Sequence, residues 1–105
     1  MKNLGGMGNI MKQARRLQEE LAKAQAEIAE MKVEASAGGG MVTATVTGQG
    51  ELIDLALERE IVDPEDIDML KDLVIAAVQE AQKKAQEVSQ ERLGPLAQGM
   101  GLPFG

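Results

Sequence analysis

From Ile10 to Met31 the apolar positions are Ile10, Ala14, Leu17, Leu21, Ala24, Ile28 and Met31, with steps of 4, 3, 4, 3, 4 and 3. That spacing is a heptad seam sustained for three repeats. The fill is Ala, Leu, Gln, Glu, Lys and Arg, all strong helix formers. The pattern predicts a helix from about Asn9 to about Lys32, on the order of 35 Å long at 1.5 Å per residue. The period then changes. Val33–Ala37 alternates apolar and small polar residues and runs into Gly38-Gly39-Gly40. Met41–Thr47 alternates strictly, with Val42, Ala44 and Val46 on one face and Thr43, Thr45 and Thr47 on the other. After Gly48-Gln49-Gly50, the segment Glu51–Arg59 places Ile53, Leu55 and Leu57 on one face. A period of two broken by glycines predicts a three-stranded antiparallel meander.

Asp63-Pro64-Glu65-Asp66 reads as a helix start, with Asp63 at the N-cap, Pro64 at the first helical position and acids at the positive end of the dipole. Apolar residues recur at Ile67, Leu70, Val74, Ala77, Ala81, Ala85 and Val88. A stop is expected before Gly94-Pro95, since proline disfavours α geometry in the residue before it. This second helix would be about 28 residues and on the order of 40 Å long. Residues 1–8 read as a flexible arm and residues 94–105 as a mobile, Gly/Pro-rich tail. The fold class is α+β in a single domain over residues 1–105: long N-terminal helix, three-stranded antiparallel β-meander, long C-terminal helix. Helices of this length overhang a short sheet and leave seam residues such as Leu17, Leu21 and Ile28 in need of cover. A homodimer is the economical answer.

Composition narrows the chemistry. The 105 residues contain no Cys, His, Trp or Tyr, and Phe104 is the sole aromatic. Disulfides, thiolate nucleophiles, imidazole ligands and unaided bases near neutral pH are all excluded. So are stacking platforms for single-stranded bases. Neither a signal-peptide run nor a membrane-spanning stretch is present, so a cytoplasmic location without membrane attachment is expected.

Charge is unevenly placed. The net charge is −6, but residues 1–18 hold Lys2, Lys12, Arg15 and Arg16 with no acid. With Ala14, Leu21 and Ile28 at heptad position a, Lys12, Arg15, Arg16 and Lys23 fall at f, b, c and c, away from the seam. Near a helix N-terminus, where the dipole adds positive potential, they suit phosphate oxygens. The plainer alternative is surface pairing through Arg15–Glu19, Arg16–Glu20 and Glu19–Lys23, although Lys12 has no acid at helical spacing. Lys83, Lys84 and Arg92 are weaker candidates, because Glu80–Lys84 and Lys83–Glu87 are ready-made pairs.

Other motifs fail on spacing. Nine acids from Glu51 to Asp72 face two basic residues, but a calcium loop starting at Asp63 would have Ile67, Asp68 and Val74 at its ligand, glycine and glutamate positions. Gly48-Gln49-Gly50 and Gly5-Gly6-Met7-Gly8 lack the strand–helix context and the lysine of phosphate-binding loops. No pair of side chains stands in a catalytic context. No catalytic residue, metal site, cofactor or small-molecule substrate is therefore expected.

Several stretches together resemble the YbaB/EbfC family of bacterial nucleoid-associated proteins. They are Gly8-Asn9-Ile10-Met11-Lys12-Gln13-Ala14, Gly40 with Met41–Gly48, Asp63 through Val78, and Gly99-Met100-Gly101-Leu102-Pro103. The second helix is less basic than in some relatives, since Glu80, Glu87 and Glu91 offset its lysines. The resemblance implies a tweezer-shaped homodimer that binds double-stranded DNA and alters its conformation, with roles in nucleoid organisation and gene regulation. It associates DNA contacts with the helical arms, which here carry Lys12, Arg15, Arg16 and Lys23. A competing expectation is a prefoldin-like holdase presenting apolar helix tips to unfolded clients.

Overall fold

The computed structural model describes residues 2–99, with side chains described from Gly6 to Gln98. Two helices flank one sheet: α1 (Lys2–Glu30), β1 (Lys32–Ala37), β2 (Val42–Thr47), β3 (Leu52–Leu57), a short 3-10 turn (Arg59–Ile61) and α2 (Ile67–Gly99). The strands lie in the order β1-β2-β3, all antiparallel. The expected α+β order is the observed one.

Both hairpins turn on glycine. Between Ala37 and Val42, which pair across the ladder, Gly38, Gly39 and Gly40 take φ of 64°, 67° and 91°. Side chains rarely adopt that region, so three consecutive glycines allow a turn that few other sequences could make. The β2–β3 turn contains Gly48, where an added Cβ would lie 2.3 Å from the carbonyl oxygen of Ile28. Gly48 instead donates its N–H to the Met31 carbonyl (3.1 Å). Ser89 Oγ donates to the Gly48 carbonyl (2.6 Å). One glycine thus joins the end of α1, the sheet and the middle of α2.

The core is built from small side chains. α2 lies across β1 and β2, and its i, i+4 row of Ala77, Ala81 and Ala85 is wholly buried against a sheet face that includes Val42, Ala44 and Val46. Alanine brings helix and sheet close, but it leaves little apolar volume between them. The largest side chains wholly removed from solvent are Val42 and Val46.

Four local expectations need correction. The first helix starts at Lys2 instead of Asn9 and takes in glycines of the stretch read as an arm. Once a helix has nucleated downstream, each further residue adds a hydrogen bond, so glycine weakens it without stopping it. α2 begins at Ile67, not at Pro64. Asp63 and Pro64 form a separate turn, closed by the Asp66 N–H on the Asp63 carbonyl (3.0 Å). Asp66 is the N-cap, accepting the Met69 N–H at 3.2 Å.

The third correction concerns β3, where the register passes from Thr45↔Asp54 to Val46↔Leu52. Ile53 is the extra residue of a bulge, so Leu52 joins the row of Leu55 and Leu57 in its place. The fourth is at the far end, where α2 continues through Pro95 to Gly99. Gly94 has no Cβ to clash with the proline ring. Leu96 is half-buried and Ala97 is buried where α2 runs beside α1, so packing supports the last turns as helix. The rest of the expected tail, residues 100–105, lies outside the described residues.

The molecule is long. Its extents are 79 × 22 × 16 Å and its radius of gyration is 20.6 Å, where a compact domain of this length would have about 13 Å.

Candidate nucleic-acid interface

α1 divides into two halves. From Leu17 onward its seam faces neighbours: Leu17 and Leu21 are half-buried, and Ala24 and Ile28 are buried. α2 supplies part of that cover, running antiparallel to α1 with Arg92 paired to Glu27. From Gly6 to Arg16, by contrast, every residue is exposed. Three turns of helix therefore project into solvent, with no part of the body around them among the described residues.

The expected cations fall into two places. Lys12, Arg15 and Arg16 line one shallow groove with Asn9, Gln13 and Glu19 on the projecting half. Lys23 lies further back, in the cleft between α1 and the end of α2, beside Arg92, Glu27 and Glu91. It is about 16 Å along the helix from Lys12. Among the described residues the ion pairs are Lys71–Asp68 (3.7 Å) and Arg92–Glu27. The pairs Arg15–Glu19, Arg16–Glu20 and Glu19–Lys23 are not formed, so the plainer reading of the cluster loses its main support.

On α2 the outcome reverses. Lys84 Nζ donates to the backbone carbonyl of Glu34 (2.8 Å) and so ties α2 to β1, in place of the expected Glu80 pair. Arg92 is committed to Glu27. These long-range contacts lie outside any i, i+4 template. The local pattern of α2, which also carries Lys71 and Lys83, does not single these two out.

Among the described residues, no group of three or more His, Cys, Asp or Glu side chains is placed to hold a metal ion. No helix there is long and apolar enough to cross a membrane.

The sequence matches the YbaB/EbfC DNA-binding family over residues 2–100. The chain belongs to that family. A nucleoid-associated protein of Streptomyces avermitilis is 54% identical over 104 residues, covering 93% of this chain and 92% of the relative. A nucleoid-associated protein of an Exiguobacterium species is 46% identical over 103 residues, covering 98% of each. The fold also resembles a crystal structure of an uncharacterized protein from Helicobacter pylori, with a TM-score of 0.67 and 23% identity over 95% of each chain. The YbaB/EbfC assignment accounts for the order of elements and makes DNA the relevant ligand class. It does not by itself say which side chains touch DNA.

Proposed function

We propose that this nucleoid-associated protein binds double-stranded DNA as a homodimer, with little sequence preference, and alters the path of the duplex. Such binding would serve nucleoid organisation and gene regulation. The reading rests on the projecting half of α1. Lys12, Arg15 and Arg16 stand there in solvent, clear of any ion pair among the described residues, in a stretch (1–18) that carries four basic residues and no acid. Lys23 extends the same charge toward the body.

A net charge of −6 would repel a polyanion if it were spread evenly. At physiological salt the Debye length is about 8–10 Å, whereas the molecule is 79 Å long. Acids of the β3–α2 region are screened from the arm tip, and local potential governs contact. Four such cations per protomer give eight per dimer; if about half engage phosphates, log K falls with log salt at a slope of about −3.6. No array of Asn, Gln and Arg on this helix suits base-edge reading, so phosphate contacts dominate.

Self-association follows from what the fold leaves bare. α2 covers β1 and β2, while β3 is an open edge with Leu52 at 46% and Ile53 at 47% exposure. Leu57, Val62, Ile67 and Ile75 are exposed as well. An apolar edge strand of this kind invites pairing with a second copy. Dimerisation there would bury these side chains and leave both α1 arms free.

The test combines sizing with salt-resolved gel shifts on a generic duplex. A dimer, the shallow salt slope, and loss of retardation in Lys12→Glu/Arg16→Glu support the reading. Unchanged affinity of that variant at low salt removes the proposed contacts. Suppression of citrate synthase aggregation without any DNA retardation would favour the holdase alternative.

A further inference from the structure

We propose that Met7, Ile10 and Met11 form an apolar wedge that enters between base pairs of the bound duplex. The protein would then select DNA that kinks easily, such as a duplex with a mismatch or a flexible pyrimidine–purine step. The inference rests on the DNA reading above. It adds the side chains that bend the duplex and the class of duplex that is preferred.

The first observation is the patch itself. Met7, Ile10 and Met11 are 58%, 65% and 61% exposed, and they lie within one turn of each other on the projecting half of α1. Single exposed apolar side chains are ordinary, but a contiguous group on one helix face marks a binding surface. Among the described residues nothing approaches it. An added Cβ at Gly6 or Gly8 would meet no atom within 4 Å, so both flanks of the patch are open as well.

The second observation is where the patch lies relative to the cations. With Ala14 at heptad position a, Met7 is also at a, Ile10 at d and Met11 at e. The apolar face d-a-e therefore adjoins the face b-f-c, which carries Arg15, Lys12 and Arg16. Met11 and Arg15, one turn apart, mark the border. Glu19, the first acid of the chain, is about 12 Å further along the helix than Met11. A ligand lying across this border must offer an anionic rim and an apolar interior side by side. Duplex DNA does so, with phosphates outside and stacked bases within.

The third is mechanical. Proteins that bend DNA from the minor groove insert Phe, Leu, Ile, Met or Pro between base steps and kink the duplex by about 20–90°. Ile10 is stiff at χ1 and suits the tip of a wedge. The flexible thioethers of Met7 and Met11 can fill the irregular gap that it opens. Insertion costs stacking, and the bend offsets that cost by bringing phosphates toward Lys12, Arg15 and Arg16. A mismatched or pyrimidine–purine step is weakly stacked from the start, so the cost is lower there. Such selectivity needs no contact with base edges.

The test compares the full-length parent with Met7→Ala/Ile10→Ala/Met11→Ala. Alanine is the best helix former, and the three side chains are exposed, so the arm keeps its helix and its cations. One duplex sequence is used, matched or with a central mismatch, carrying a fluorescent adenine analogue at the centre and a donor–acceptor pair at the ends. The parent should bind the mismatched form about fivefold more tightly, brighten the unstacked analogue and shorten the end-to-end distance. The alanine variant should bind the matched duplex within about twofold of the parent and lose all three effects. A parent that retards the duplex without bending or unstacking it overturns the wedge and leaves the DNA reading standing. A parent that binds no duplex at low salt overturns both. An alanine variant that bends and unstacks DNA as the parent does also overturns the wedge. In that case, loss of the dimer on sizing, or of retention on phosphatidylglycerol vesicles, assigns the patch to a second copy or to an anionic membrane surface.

Discussion

Ile28 and Ile10 both lie on the seam of α1, yet Ile28 is 3% exposed and Ile10 is 65% exposed. At the Ile28 end, the Gly48 turn and the last turns of α2 close over the helix. At the Ile10 end, the described residues provide nothing to close with. A periodic pattern therefore states which face of a helix would gain from burial. Whether it is buried depends on what the rest of the chain can place there. The body has little volume and tight contacts; the arm has neither constraint. Substitutions in the two regions should accordingly differ in kind.

The largest effect is expected in the body at Ala81, which is wholly buried between α2 and the sheet. Ala81→Leu should cost about 3 kcal/mol by overpacking, read as a lower Tm. A Tm equal to the parent's would mean that helix and sheet are not closely packed. Gly48→Ala comes next, at about 2 kcal/mol in chemical denaturation, because its Cβ would meet backbone at Ile28 and not a side chain that can swing away.

In the arm, Lys12→Glu/Arg16→Glu should leave Tm within error of the parent while lowering duplex affinity about tenfold in low-salt gel shifts. A fall in Tm as large as those in the body would erase the distinction between the regions. Gly8 has open space around it. Gly8→Ala should stabilise α1 by about 0.5–1 kcal/mol through helix propensity alone, read as added helical circular dichroism. The smallest effect belongs to the joint between the two halves. Arg92→Ala breaks an exposed ion pair with Glu27 and should cost at most about 1 kcal/mol. A larger loss would mean that this pair, more than the Gly48 contact, aims the arm.

Much of the fold was legible because its signals are local. The heptad steps from Ile10 to Met31, the alternation from Met41 to Thr47 and the glycine turns each encode an element in a few adjacent residues. The misreadings occurred where long-range contact decides. Pro95 reads as a stop, but Gly94 spares the clash and the burial of Ala97 rewards a further turn of helix. Ile53 reads as a core position until the ladder with β2 sets the bulge. Lys84 reads as the partner of Glu80, four residues away, and instead reaches the backbone of Glu34 across the sheet.

The sequence alone determined the order of the elements, the small size of the Ala77, Ala81 and Ala85 row and the gathering of cations near one end. Those follow from side-chain periodicity, size and charge, which are properties of neighbours along the chain. Only the tertiary structure decided that Lys84 and Arg92 serve as internal ties, that β3 is left as a bare edge, and that Lys12, Arg15 and Arg16 stand on a helix segment clear of the body. Each of those depends on distances between residues far apart in sequence, which are set when α2 settles on β1 and β2 and, among the described residues, leaves the first turns of α1 without a neighbour.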